Sequence, residues 1–237
     1  MTSTEICSIS GLHPIRCNNL PIRARVTWKS EITPYHKEKK SGTVFLMNLL
    51  DESGQITGVV FDELCNTFYN QIQVGNSYVF SEFEVRRAEM RFKVVDNPDQ
   101  IVFLDKTSVK LSAEVTNIPK IRYNFVPLSK ISETPDLKPV DVIGICTEDY
   151  GIDERGGHLI REIRLVDGNG ANVTLNLWEK KASSFAGQPG DVIVVKGARA
   201  QLNNEEMKLN ANFYAYVQIN PDIKEAHELR ERLSNNY

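Results

Sequence analysis

Leu49-Leu-Asp51-Glu-Ser-Gly54, with the run Ile56 to Phe61-Asp-Glu63 behind it, decides the fold because the chain contains the pattern twice. The second copy is Leu165-Val-Asp167-Gly-Asn-Gly170, followed by a run ending in Trp178-Glu179. Seven positions beyond each terminal aromatic stands another, Phe68 and Phe185, and then a turn glycine, Gly75 and Gly190. A repeat at a period of a little over 100 residues means duplicated domains rather than a solenoid of short units. Around the first copy lie further β-branched or aromatic runs, Ile22–Val26, Thr43–Met47 and Tyr78–Phe80, separated by turns at Asp51–Gly54 and Val74-Gly75-Asn76. Short strands at this spacing predict an all-β barrel or sandwich, with one helix over Asp62–Phe68.

The rest of the chain fits this plan. Ser112–Ile121 is polar, carries Pro119 and reads as a linker, with the boundary near residue 115. The expected domains are therefore residues 1–112 and 123–237, joined by 113–122. At the end, Asn220–Leu233 has proline near its start, early acids, and apolar residues at Ile223, Ala226, Leu229 and Leu233, which predicts an amphipathic helix. Its period fits equally a helix packed under the second barrel and an arm attaching further domains or subunits.

Composition narrows the function classes. The 237 residues are 41% hydrophobic and 25% charged, enough apolar material for packed cores. No stretch approaches the roughly 18–20 apolar residues of a membrane span, and Met1–Ser10 has no basic flank or apolar run of a secretory signal. These features set the expectation of a soluble intracellular protein. Cys7, Cys17, Cys65 and Cys146 are far apart with no C-x-x-C spacing, so they read as reduced thiols and no zinc site is expected. The net charge of −3 argues against coating duplex DNA by bulk attraction but allows a locally basic groove.

Catalytic patterns are missing from the sequence. His13, His36, His158 and His227 are scattered, and H-E-x-x-H, P-loop and G-x-S-x-G do not occur. Gly168-Asn-Gly170 reads as a hairpin turn rather than a phosphate cradle. Asp62 and Glu63 are adjacent, so their side chains diverge, and acids there suit a helix N-terminus. No enzyme and no cofactor is expected.

Nucleic-acid binding is better supported. A single strand asks a barrel for flat aromatic faces, worth ~1–3 kcal/mol per base, and cations along the backbone path. Phe61 ends a strand just before two acids. Phe92 lies in Arg86-Arg-Ala-Glu-Met-Arg91-Phe-Lys93, four cations around one aromatic on an expected hairpin. Tyr35-His-Lys37-Glu-Lys39-Lys40-Ser-Gly42 joins two expected strands and suits a flap over a bound strand. Its counterpart, Tyr150–Arg161, carries Arg155, Gly156, Gly157, His158 and Arg161.

These residues resemble a known family. Ala24-Arg-Val-Thr with Lys29-Ser, Leu50-Asp-Glu-Ser-Gly54-x-Ile56, Phe61-x-Glu63, Val142-Ile-Gly-Ile-Cys146, Leu175-x-Leu-Trp178, Lys196-Gly-Ala-Arg199 and Asn220-Pro-Asp-Ile are similar, in order, to the central tandem single-strand-binding domains of the replication protein A large subunit. The resemblance implies two tandem five-stranded OB barrels, each with a short helix, that lay single-stranded DNA across both domains. It further implies a nuclear protein of replication, repair and recombination that works beside other subunits. It places stacking aromatics on Phe61, Phe92 and Trp178. Its polar and phosphate contacts fall on Tyr35, Lys39, Asp62, Glu63 and Arg86, and in the second domain on Arg155, Arg161, Asn176 and Arg199. Lys37, Lys40, Arg91 and Asn203 complete the set of residues expected to contact DNA.

The chain departs from the family pattern where the second domain's other stacking aromatic belongs, since Gln201-Leu-Asn203-Asn-Glu-Glu206 has none. Thr33 and Thr57 stand at positions that are basic in the family. The expectation is a binder that leans on its first domain, either a fragment or a short paralogue. A paralogue reading a particular strand such as a telomeric repeat, and a protein-interaction module with reduced DNA affinity, are the rivals. No residue excludes RNA.

Overall fold

In a computed structural model, which describes residues 5–14, 20–37, 40–113, 117–203 and 206–234 and only the backbone of Lys37, Arg91, Asn203, Leu233 and Ser234, the quoted runs become strands. The chain divides into two units, Met1–Arg122 and Tyr123–Tyr237. The first contains β1 (Ile22–Lys29), β2 (Thr33–Lys37), β3 (Lys40–Leu50), β4 (Gln55–Phe61), α1 (Glu63–Phe68), β5 (Ser77–Ser81), β6 (Glu84–Arg87), β7 (Asp99–Val102) and β8 (Ser108–Leu111). Ile22, Ala24 and Val26 alternate inward along β1, and Phe45, Met47 and Leu49 do so along β3. The strand order is β6-β7-β4-β3-β1-β5-β8, with β2 folded back on β3. β5 and β6 are consecutive segments broken at Glu82, whose φ of 57° takes the chain round the corner of the barrel. Cys65 and Phe68 of α1 close the end of the core, Phe68 lying edge-on to Phe103 at 5.1 Å.

The second unit repeats the plan with β9 (Pro139–Arg155), β10 (His158–Val166), β11 (Asn172–Trp178), α2 (Lys180–Ser184), β12 (Val192–Asn203), β13 (Glu206–Ala211), β14 (Tyr216–Ile219) and α3 (Lys224–Ser234). Here the ring closes in hydrogen bonds: β9 pairs β10 and β12, β10 pairs β11, and β13 runs parallel to β11 and antiparallel to β12. β12 stays continuous where β5–β6 breaks, because Gly197 turns the corner at φ 74°. Asp141 anchors that corner, accepting from Gly197 N at 3.0 Å and Lys196 Nζ at 3.1 Å. Ala226 and Leu229 of α3 pack with Val192 and Val194, so the terminal helix covers the outside of the barrel.

The repeat holds residue by residue. Asp51 accepts from the amides of Ser53 and Gly54, and Asp167 from those of Asn169 and Ala171. Phe68 and Phe185 are both in cores, and Gly75 and Gly190 have φ of 94° and 97°. Both units are barrels of the OB type.

Two local expectations change. Residues expected as linker are partly docked on the first unit: Arg25 Nη2 donates to Ile118 O, Ile118 is buried, and Arg122 Nη2 donates to Glu52 O. Arg86–Lys93 lies on a hairpin, as expected, but the loop between its antiparallel strands is long. β6 stops at Arg87, a 3-10 turn covers Met90–Phe92, and β7 begins only at Asp99.

Cys7, Cys65 and Cys146 are free thiols, while Cys17 lies outside the described residues. Burial pushes the Cys146 thiol up to about 11. Among the described residues no helix is long and apolar enough to cross a membrane. A Cβ at Gly58 would meet Met47 Cγ at 2.9 Å and Leu49 Cδ1 at 3.3 Å. Gly58→Ala is therefore expected to overpack the first core and cost about 1–3 kcal/mol, read as a lower thermal midpoint.

Candidate nucleic-acid interface

Strand alternation sends one set of side chains outward from each barrel. In the first unit the register pairs Val44 with Phe61, Leu46 with Val59, Asn48 with Thr57, and Thr57 with Gln100 on this face. Apart from half-buried Phe61, all of these are buried, which an outer face facing water would not allow. The connection 88–98 accounts for much of this. Val94 N donates to Thr57 Oγ1 at 3.1 Å, Glu89 N to Gln100 Oε1 at 3.2 Å, and Asn97 Nδ2 to Gln55 O at 2.7 Å.

The first-unit aromatics meet at the end of β4. Tyr35, Phe61 and Phe92 form an edge-on triangle, with centroids 5.3 Å (Tyr35–Phe61), 5.6 Å (Phe61–Phe92) and 6.3 Å (Tyr35–Phe92) apart. Phe92, expected as an open platform, is 3% exposed because its own segment folds back on the sheet. Phe61 keeps an accessible part. Asp62 follows it at φ 53°, ψ −128°, a backbone region that strains any residue with a side chain. Its carboxylate accepts from Thr43 N at 3.2 Å and Tyr35 Oη at 3.3 Å. A Cβ at Gly42 would sit 1.9 Å from Asp62 Oδ1, so a side chain there would push this carboxylate aside.

The expected cations are placed unevenly. Lys40 is exposed at the start of β3, and Glu63 is exposed at the start of α1. Arg86 is exposed and paired to Glu84 at 2.5 Å, an ion pair that lowers the Glu84 carboxyl and raises the guanidinium. Lys39 and the side chains of Lys37 and Arg91 lie outside the described residues.

In the second unit the outer face carries Glu162, Asn176, Trp178, Lys208, Asn210, Arg199 and Gln201 by register. Trp178 ends β11 as Phe61 ends β4, half-buried, with Nε1 donating to Asn210 Oδ1 at 2.9 Å. Asn176 Nδ2 donates to the same oxygen at 3.1 Å, while Asn176 Oδ1 is buried without a hydrogen-bond partner. Glu162 binds two cations, Arg155 at 3.2 Å and Lys208 at 3.1 Å, and they hold its carboxyl below the ordinary range. Glu179 follows Trp178 at φ 53°, ψ −122°, matching Asp62.

Two arginines expected near phosphates are engaged within their own barrel. Arg199 is 4% exposed, with Nη1 donating to Leu137 O at 2.5 Å, and burial lowers its pKa. Arg161 points to the core side of β10, where it pairs with Asp149 at 2.5 Å, donates to Phe185 O at 3.0 Å and lies over the Phe185 ring. Asn203 pairs with Glu206 at the β12–β13 turn, and its side chain lies outside the described residues.

Sequence reasoning missed Asn48 and Gln100, which with Thr57 form the buried polar floor of the first outer face. The signal was the unbroken apolar run Val44–Met47, which marks a strand buried on both sides.

The fold and these positions match known proteins. A model described as "Replication protein A OB domain" matches residues 128–208, and a model for a domain of unknown function, DUF223, matches residues 27–134. The replication protein A 70 kDa DNA-binding subunit of Drosophila melanogaster is 36% identical over 235 residues, 96% of this chain and 39% of that protein. Replication factor A protein 1 of Schizosaccharomyces pombe is 30% identical over 96% of this chain and 38% of its own length. The chain thus spans less than two fifths of either relative. A chain in a solved replication protein A heterotrimer bound to ssDNA superposes with a TM-score of 0.66 at 30% identity, covering 98% of this chain and 55% of that one. Carried through both barrels in one order, this similarity makes the chain a homologue of the replication protein A large subunit over that subunit's central OB domains.

Proposed function

We propose that the chain is a non-enzymatic binder of single-stranded DNA in replication, repair and recombination, nuclear and working beside other replication protein A subunits. The observation that carries this is the matched pair Phe61 and Trp178: two half-buried aromatics ending equivalent strands on equivalent outer faces, each followed by an acid in the same strained backbone. Bases stack on these two rings. Phe92 supports Phe61 from beneath. Tyr35, Asp62, Glu63 and Asn176 supply polar contacts, and Lys37, Lys39, Lys40, Arg86, Arg91 and Arg155 lie along the phosphate path. Asn203 lines the far end of the second face. Arg161 and Arg199, tied to their own barrel, position the second unit rather than the strand.

Fluorescence-anisotropy titration with dT oligonucleotides of two lengths, at low and moderate salt, tests the reading. Salt-sensitive binding that tightens with length is expected, and no binding at either length refutes it. Each phosphate-bound cation contributes about 0.7 to the slope of log K against log salt for a single strand. Lys40→Ala is therefore expected to lower the slope by about that much. Arg161→Ala is expected to leave the slope alone and lower the melting temperature, because its guanidinium is committed to Asp149 and Phe185.

A further inference from the structure

Beside Trp178 stands a pair of side chains that the stacking and phosphate contacts leave unused. His158, at the start of β10, brings its ring centroid to 6.2 Å from the indole with the planes at 69°. Its Nδ1 lies 2.6 Å from Glu179 Oε1, and both side chains reach solvent, His158 at 63% and Glu179 at 33%. Among the described residues the Glu179 carboxylate has no other partner. The backbone fixes its root, since Glu179 N donates to Leu159 O at 2.8 Å and φ is held at 53°. Two residues back on the same face, Asn176 Oδ1 is a second acceptor lacking a donor, in a residue 6% exposed. The immediate surroundings of the indole are thus rich in acceptors, while Arg155 and Lys208 are held by Glu162.

An ionised carboxylate only accepts hydrogen bonds. Guanine alone among the DNA bases presents two adjacent donors, N1–H and N2–H, on its Watson–Crick edge. Adenine and cytosine present one donor beside an acceptor, and thymine places a single N–H between two carbonyls. Resting on the single-strand reading above, we propose that Glu179, positioned by His158, reads the edge of the base stacked on Trp178 and selects guanine there. The first unit repeats the backbone geometry with its acid already engaged. Asp62 spends its carboxylate on Thr43 N and Tyr35 Oη, and selection is therefore confined to the second unit.

The test is a substitution scan. A dT oligonucleotide long enough for both barrels is compared with versions carrying a single dG, or a single deoxyinosine, at successive positions. A good bidentate contact is worth about tenfold in affinity. One dG position is expected to bind about tenfold tighter than all-dT, with inosine, which lacks the N2 amine, falling between. Glu179→Gln is expected to bind the dG and dT oligonucleotides alike. Glu179→Gly removes the same carboxylate while relaxing the backbone, so it loses the preference with a raised melting temperature, which separates lost selection from misfolding. His158→Ala, which frees the carboxylate to wander, is expected to shrink the preference, and Glu179 alone would not need that partner. If wild type binds dT but shows a flat dG scan, or the preference survives in Glu179→Gln, the selection is refuted and the single-strand reading stands. If wild type binds no oligonucleotide, both fall together.

Discussion

Alanine at Phe61 and Trp178 together is expected to weaken binding of a dT oligonucleotide by about 2–6 kcal/mol, the sum of two stacking platforms at ~1–3 kcal/mol each. By 1.4 kcal/mol per decade, that is roughly 30-fold to 20,000-fold in the dissociation constant. Both rings are half-buried at strand ends, outside the two main cores, so the fold has little reason to fail with them. Phe61 touches Tyr35 and Phe92 edge-on, and Trp178 gives one hydrogen bond to Asn210. The melting temperature should accordingly fall far less than the affinity. Each single variant should lose part of the total, and an oligonucleotide sized for one barrel should report mainly one of them. A double variant that titrates like wild type would mean that the strand lies elsewhere.

The second large effect separates support from platform. Phe92→Ala removes a ring that is 3% exposed, packed against Phe61 and seated on the segment that covers the first outer face. Deleting a buried phenylalanine typically costs 3–5 kcal/mol, through lost transfer energy and the cavity left behind. Chemical denaturation should show that loss in the first unit while the second unfolds as before. If Phe92→Ala instead leaves stability unchanged and lowers affinity as Phe61→Ala does, Phe92 is a platform and the packed triangle opens on binding.

Much of the architecture was legible because the repeat couples three independent signals. An Asx turn, a strand ending in an aromatic, and a glycine at positive φ return together at Asp51, Phe61 and Gly75 and at Asp167, Trp178 and Gly190. Alternation along β1 named its inward residues without ambiguity. The site was legible as residue types and much less so as geometry. Four cations around Phe92 suggested an exposed ring, but Arg91 and Lys93 sit on a connection that Val94 and Val95 draw down onto the sheet, and the ring follows. Arg199 looked like a phosphate ligand because nothing in its neighbours reveals that the chain at Leu137 passes over it. Arg161 differs from its groove-facing neighbours Ile160 and Glu162 by one step of the pleat, and the hairpin's irregular register hides which face it takes. His158 and Glu179 are 21 residues apart in sequence, and only the pairing of β10 with β11 brings them together.

The two strained acids differ in what a relaxed backbone would change in each half. Asp62 and Glu179 sit at φ 53° in backbone regions where side chains cost on the order of 1–3 kcal/mol. Every aspartate or glutamate codon becomes a glycine codon by changing its second base alone, and glycine would remove that cost at once. That change is a single nucleotide away at position 179, directly behind the aromatic that ends its strand, and it makes Glu179→Gly the variant in which a gain in stability and a loss of recognition should appear together. At Asp62 the same change also removes the carboxylate that accepts from Thr43 N and Tyr35 Oη, so less stability is gained there.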